Sequence, residues 1–237
     1  MAWQDLLSCW DAWVLTFVLT VVVPALGYIR FRQLRDRTVP SRMKLTVYGR
    51  TVAVQWFLTA AMLLVLRRHG LSVGDAGERL GDARLTFEVT FAVLVVLAVV
   101  APFVLWRVRR TPPERLAAAI GSLRGFVPTF GVEMGAFVMV CLTAGFCEEM
   151  LYRGWMVNIL RAATGSTWAA VAATSIIFGV GHAYQGVKGM LRTVFVGLQL
   201  AILYVWVGSL IPGQVLHAGA DLIAGTAGAL ALSRLKD

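Results

Sequence analysis

The sequence predicts an all-α polytopic membrane bundle of about seven spanning helices, with six to eight compatible with the pattern. Three observations carry this. Of 237 residues 58% are hydrophobic and only 15% charged, and mean hydropathy is +0.73, well outside the usual range for a soluble domain of this length. Apolar runs approaching the ~20 residues needed to cross a bilayer recur along the chain. The Lys and Arg residues fall between these runs, which is where topology places them.

In order, the runs are Ala12–Ile29, Val52–Leu66, Phe87–Leu105, Ala136–Leu160, Trp168–Ala183, Leu191–Val207 and Leu210–Leu232. The first loop carries Arg30, Arg32, Arg35, Arg37, Arg42, Lys44 and Arg50 against a lone Asp36, so it is expected in the cytoplasm with the N-terminus outside. After the third run Arg107, Arg109, Arg110, Arg115 and Arg124 again place the chain inside. The loop from His69 to Thr86 mixes acids and bases and fits the outer side, and the tail with Arg234 and Lys236 returns inside. Residues 1–135 then hold the N-terminal spans and their basic loops, and residues 136–237 the remaining spans of one membrane domain.

The net charge of +9 does not point to nucleic acid, because the cations separate apolar runs and do not interleave with aromatics on a soluble face. Cys9, Cys141 and Cys147 lack any CxxC spacing and read as packing residues. The first run follows Asp5 and Asp11 with no basic segment before it, as expected of a retained span and not a cleaved signal. The stretch from Thr111 to Pro128 reads either as a short amphipathic helix with prolines in its first turn or as a plain linker. Gly179, Gly181, Gly219, Gly225 and Gly228 crowd the last two-fifths, where small residues allow close helix approach.

Chemistry concentrates in Cys147-Glu148-Glu149-Met150-Leu151-Tyr152-Arg153, three charges inside the apolar run from Phe137 to Leu160. A charge at the bilayer centre costs at least ~2.5–3.5 kcal/mol, so these residues mark either a functional site or an ion-pair cluster that staples helices together. On a helix Arg153 lies one turn beyond Glu149 and can pair with it, whereas Glu148 is rotated about 100° away and is the freer carboxylate. Phe178 and His182 share a helix face at i, i+4, and so do His217 and Asp221. His69, by contrast, is expected to be solvated.

Depth constrains any shared site. With a fourth span ending at Glu149, Glu148 and His182 would stand ~25 Å apart at 1.5 Å per residue, so convergence requires a long or tilted span. If they meet, one free carboxylate and two imidazoles suit hydrolysis: the carboxylate takes a proton from water, and an imidazole orients it or serves the oxyanion. The same set resembles a two-His, one-carboxylate zinc site, although His-Glu-x-x-His is absent. Proton relays in transporters use the same residue types, but no inverted repeat accompanies them. Gly70-Leu71-Ser72-Val73-Gly74 has the letters of a nucleophile elbow without a preceding strand, and Asp221 lacks the second intramembrane aspartate that an aspartyl site requires.

With Glu148-Glu149-x-x-x-Arg153, Phe178-x-x-x-His182 and His217-x-x-x-Asp221 in order on late spans, the chain resembles the CaaX-protease and bacteriocin-processing family of glutamic intramembrane proteases over roughly Ala136 to Leu232. The resemblance implies Glu148 as general base assisted by His182, Glu149 and Arg153 as residues that shape the site, and Phe178 packed beside His182. It implies an oxyanion hole from His217 and Asp221, where many members have Asn. An ionised Asp cannot donate, so Asp221 would orient His217 as an acceptor or be protonated by burial. The implied activity is endoproteolysis of a membrane-anchored or membrane-associated protein or peptide in the cell membrane. No metal, cofactor or nucleic acid is expected. A non-catalytic membrane partner or immunity protein of the same fold is the alternative.

Overall fold

A computed structural model describes residues 3–34 and 39–235, and every regular element among them is helical. Arg35, Asp36 and Arg37 of the first basic loop, and Lys236 of the tail, lie outside the described residues. The helices are α1 (Trp10–Ile29), α2 (Ser41–Arg68), α3 (Ala83–Arg110), α4 (Pro113–Ile120), α5 (Val132–Thr164), α6 (Thr167–Gly181), α7 (Gly186–Val207) and α8 (Ile211–Arg234). Their ends follow local chemistry. Asp82 caps α3 by accepting from the Leu85 amide at 3.0 Å, Ser166 caps α6, and α5 and α7 stop at Gly165 and Gly208 in the left-handed conformation.

Six helices are long and apolar enough to cross a membrane: α1, α2, α3, α5, α7 with the turn before it, and α8. The expected fifth span is α6, apolar but 15 residues long. At 1.5 Å per residue it rises about 22 Å, short of the ~30 Å hydrocarbon layer. The chain is therefore a multi-pass helical membrane protein of about seven spans. α3 leaves Phe87, Phe91, Val99 and Phe103 exposed, an apolar face suited to lipid.

The fourth span is longer than its apolar run. It extends from Val132 to Thr164, 33 residues, and it widens into a π-helical stretch over Glu149–Val157. A helix of that length reaches about 50 Å, so the depth mismatch that would have separated Glu148 from His182 does not arise. π turns insert where side chains must be re-aimed, and this one begins within the charged motif.

One buried cluster ties early and late helices together: Leu15 and Leu19 from α1, Leu58 and Met62 from α2, Met150, Leu151 and Trp155 from α5, and Phe178 from α6. Trp155 donates its indole N–H to Thr16 at 3.1 Å. Close helix contacts occur at glycines. A Cβ on Gly145 of α5 would lie 2.7 Å from the Gln214 carbonyl oxygen and 2.7 Å from the Ala218 Cβ, both on α8. The stretch after Thr111 forms α4, whose Leu116 and Ile120 pack on Ala231 and Leu232 of α8. The amphipathic-helix reading holds, and its apolar face covers α8. Arg234 donates to the Val108 and Thr111 carbonyls, each at 2.7 Å, closing the end of α3.

Candidate active site

Glu149 and Arg153 are fully buried, as α5 turns this face inward against α7 and α8. Arg153 Nη1 donates to Glu149 Oε1 at 2.9 Å, the i, i+4 pair expected from the motif, and Nη2 donates to the Gly197 carbonyl at 3.1 Å. Its guanidinium carbon sits 4.4 Å from the Phe178 ring centroid. A Cβ on Gly197 would lie 3.1 Å from the Phe178 ring and 3.5 Å from Arg153 Nη2, so α7 approaches this closely because the residue is glycine.

Phe178 is the hub of the site. Its ring centroid lies 4.8 Å from that of His182, 5.9 Å from that of His217 at nearly a right angle, and 5.0 Å from that of Tyr152. A buried ring between two imidazoles fixes both without offering a polar group of its own. His182 follows the last residue of α6, and its Nδ1 lies 2.8 Å from the Phe178 carbonyl oxygen. A carbonyl only accepts, so Nδ1 carries a proton, and in the neutral ring Nε2 is the acceptor.

His217 enters from α8. Its Nδ1 is 2.8 Å from Glu149 Oε1, and its Nε2 faces Glu148 Oε2 at 3.8 Å and Asp221 Oδ2 at 3.7 Å. One oxygen of Glu149 thus accepts from Arg153 and meets His217, which makes the buried carboxylate a bracket between α5 and α8. Asp221 keeps 45% of its side-chain surface exposed. Its Oδ2 lies 3.7 Å from Nε2, a position that suits an acceptor. Glu148 is the less enclosed glutamate of the pair, with 16% of its side chain exposed, and its Oε2 has no hydrogen-bond partner.

A cavity of about 480 Å³ opens onto Glu148 and His182. Its walls are mostly apolar, from α1, α2 and α5, with Arg50, Gln55 and Tyr184 among the polar groups that line it. His217 and Asp221 are not part of its lining. The expected set is thereby divided, with Glu148 and His182 on the cavity and His217 and Asp221 beyond it. Gln55 went unnoticed in the sequence, although an amide inside the apolar run Val52–Leu66 is itself a signal, since its polar atoms need partners.

Glu148, His182 and His217 do not together bring their ligand atoms within 4.8 Å of one another. Among the described residues, the His, Cys, Asp and Glu side chains whose ligand atoms gather within 4.8 Å are Cys9, Asp11 and His69, away from this site. There His69 is not solvated as expected, since 14% of its side chain is exposed and Nε2 lies 3.0 Å from both Asp11 oxygens. Arg68 adds a contact of 3.6 Å to Asp11, and Cys9 Sγ lies 3.7 Å from His69 Nδ1, so the cluster ties the start of α1 to the end of α2.

The loop between α2 and α3 lies over the other end of the site. Ala76 is fully buried, and the Gly77 carbonyl accepts from the Leu210 amide at 3.0 Å. Glu78 accepts from Gln214 Nε2 at 2.7 Å, and burial pushes its carboxyl above the usual value although that hydrogen bond pulls the other way. Ser72, the serine of the elbow-like letters, donates to Asp75 at 2.6 Å, a turn contact that holds the Asp75 carboxyl below the usual range.

Residues 130–223 match the family model described as type II CAAX prenyl endopeptidase Rce1-like. No curated protein and no solved structure matches the chain. The matched segment contains all seven expected site residues, from Glu148 to Asp221, and leaves α1 to α4 outside it.

Proposed function

We propose, from the premise that the segment 130–223 is of CAAX-protease type, that this membrane protein is an intramembrane endopeptidase using a Glu-activated water. The observation that carries the reading is Glu148 Oε2: buried, without a hydrogen bond, and on the same cavity as His182. A carboxylate oxygen in that state is suited to take a proton. His182, with its proton held by the Phe178 carbonyl, offers Nε2 to the second hydrogen of the same water.

The step balances simply. The water oxygen attacks the scissile carbonyl carbon while Glu148 Oε2 takes one proton. His217, when its Nε2 is protonated, donates to the oxyanion, and Glu149 and Asp221 orient its ring. Collapse breaks the C–N bond, and Glu148 returns its proton to the leaving nitrogen. The products are a carboxylic acid, which keeps the second proton of the water, and an amine; proton exchange between them gives carboxylate and ammonium. Serving the oxyanion requires the substrate carbonyl to reach the boundary between Glu148 and His217, which stand 3.8 Å apart. The step draws on no metal. The substrate is a membrane-associated protein or peptide, and a cell-membrane location fits the basic loops.

Comparative analysis of protein termini in the native host tests this. Membranes carrying wild-type protein are compared with membranes carrying a chromosomal Glu148→Gln change. A defined set of proteins should keep a longer terminus only in the mutant, and a zinc chelator should leave the wild-type pattern unchanged. Unaltered termini, with both proteins inserted and abundant, would favour the non-catalytic partner.

A further inference from the structure

Gln55 lies on α2, outside the matched segment, and its Nε2 donates to Glu148 Oε1 at 2.6 Å. We infer that Gln55 belongs to the working site, as the residue that positions Glu148 and as an acceptor for a backbone N–H of an extended peptide in the cavity. The inference rests on the peptidase reading above.

The orientation of the amide follows from its partner. An ionised carboxylate only accepts, so the amide nitrogen must face Glu148 and the amide oxygen must face away. The first consequence concerns Glu148. A carboxylate torsion is broad and two-fold, and tying Oε1 to Gln55 makes Oε2 the oxygen left to take a proton. Oε2 is also the atom 3.8 Å from His217 Nε2, so the hydrogen bond selects the oxygen closer to the rest of the site.

The second consequence concerns the other end of the amide. Gln55 Oε1 is buried and accepts no hydrogen bond, and the residue lines the cavity together with Glu148 and His182. A buried acceptor without a donor is costly unless a ligand satisfies it. The surrounding wall offers little competition, with Leu58, Val54, Val140 and Leu151 on the same cavity. A peptide bound in extended form brings its own N–H groups into such a space. Gln55 would then hold the base with one end and the substrate backbone with the other, which places the attacking water relative to a particular peptide bond.

The test uses the full chain in lipid nanodiscs and has two arms. In the first, infrared difference spectra assign the Glu148 carboxylate band by subtracting the Glu148→Gln protein. Gln55→Met should shift that band, and an unshifted band in a folded, inserted variant overturns the positioning role. Gln55→Asn, one methylene short, replaces it if the Met variant misfolds, with the same expectation. In the second arm, a synthetic peptide spanning a cleavage site identified with Glu148→Gln is made with single backbone amides replaced by esters. Gln55→Met should lower kcat by about ten- to a hundredfold, the scale of one hydrogen bond to a charged group. One ester position should cost wild-type about tenfold and cost Gln55→Met nothing further. Equal losses in both proteins overturn the substrate role. Absence of any cleavage by wild-type overturns the peptidase reading and the substrate role together, whereas a shifted band would still sustain the Gln55–Glu148 bond.

Discussion

His217 Nδ1 stands 2.8 Å from Glu149 Oε1, so the only histidine of α8 is anchored to the second glutamate of the motif and only approaches the first. The two glutamates therefore sit in different surroundings although they are adjacent in sequence. Glu149 is a buried structural anion shared by Arg153 and His217, and Glu148 faces the cavity.

Their replacements should separate accordingly. Glu149→Gln leaves the fully buried Arg153 without its counter-charge, and breaking a buried pair from one side costs about 3–5 kcal/mol. Thermal unfolding of the purified protein should show a large drop in midpoint for Glu149→Gln. Glu148→Gln, which keeps its shape and the neighbour Gln55, should unfold close to wild-type while abolishing cleavage. Equal midpoints for the two variants would contradict the division of roles.

The hub position of Phe178 predicts a graded series. Phe178→Leu keeps most of the volume but loses the flat surface between the two imidazoles and beneath Arg153. It should remain folded with kcat reduced at least about tenfold, since a misplaced catalytic group forfeits that much readily. Phe178→Ala opens a cavity in the core and should in addition lose about 3–5 kcal/mol of stability, read as protein yield and unfolding midpoint.

Gly145→Ala tests the contact between α5 and α8. The added methyl would stand 2.7 Å from the Gln214 carbonyl, which is backbone and cannot rotate away. Separating these helices moves His217 from Glu149, so stability should fall by roughly 1–3 kcal/mol and cleavage with it. Gly135→Ala on the same helix meets nothing within 4 Å and is the matched control that should leave both unchanged.

Glu78 should make the loop between α2 and α3 sensitive to pH. Its carboxyl is raised in the folded protein by burial, so the folded state binds a proton more readily than the unfolded chain. The corresponding stability is fully present below the unfolded carboxylate value and is lost as pH rises through the raised one. Hydrogen exchange at residues 76–80 should therefore quicken as pH climbs through the range just above 4.5, after correction for intrinsic rates. Glu78→Gln, neutral at every pH and still able to meet Gln214, should remove that change.

Much of this arrangement was legible beforehand. Apolar runs separated by cations forecast the spans, because lipid admits charge only where it is paired. Period 3.6 placed Arg153 over Glu149 and Phe178 by His182, and both contacts occur. The π-helical turn and the full length of α5 were not legible, since they depend on packing against other helices and not on local hydropathy. Neither was the partner of His217: Asp221 is its neighbour by spacing, yet Glu149, 68 positions earlier, makes the shorter contact. His69 misled for the same reason, its partner Asp11 being distant in sequence.

The sequence by itself determined the class of molecule, the order of the motifs and the faces that carry them, since helical periodicity and the cost of charge in lipid are local rules. Tertiary structure decided which carboxylate opens on the cavity, which histidine joins it there, and that α2 supplies Gln55. Those are matters of which helices touch at which depth. Such contacts bring together residues tens of positions apart, and only the packed bundle specifies them.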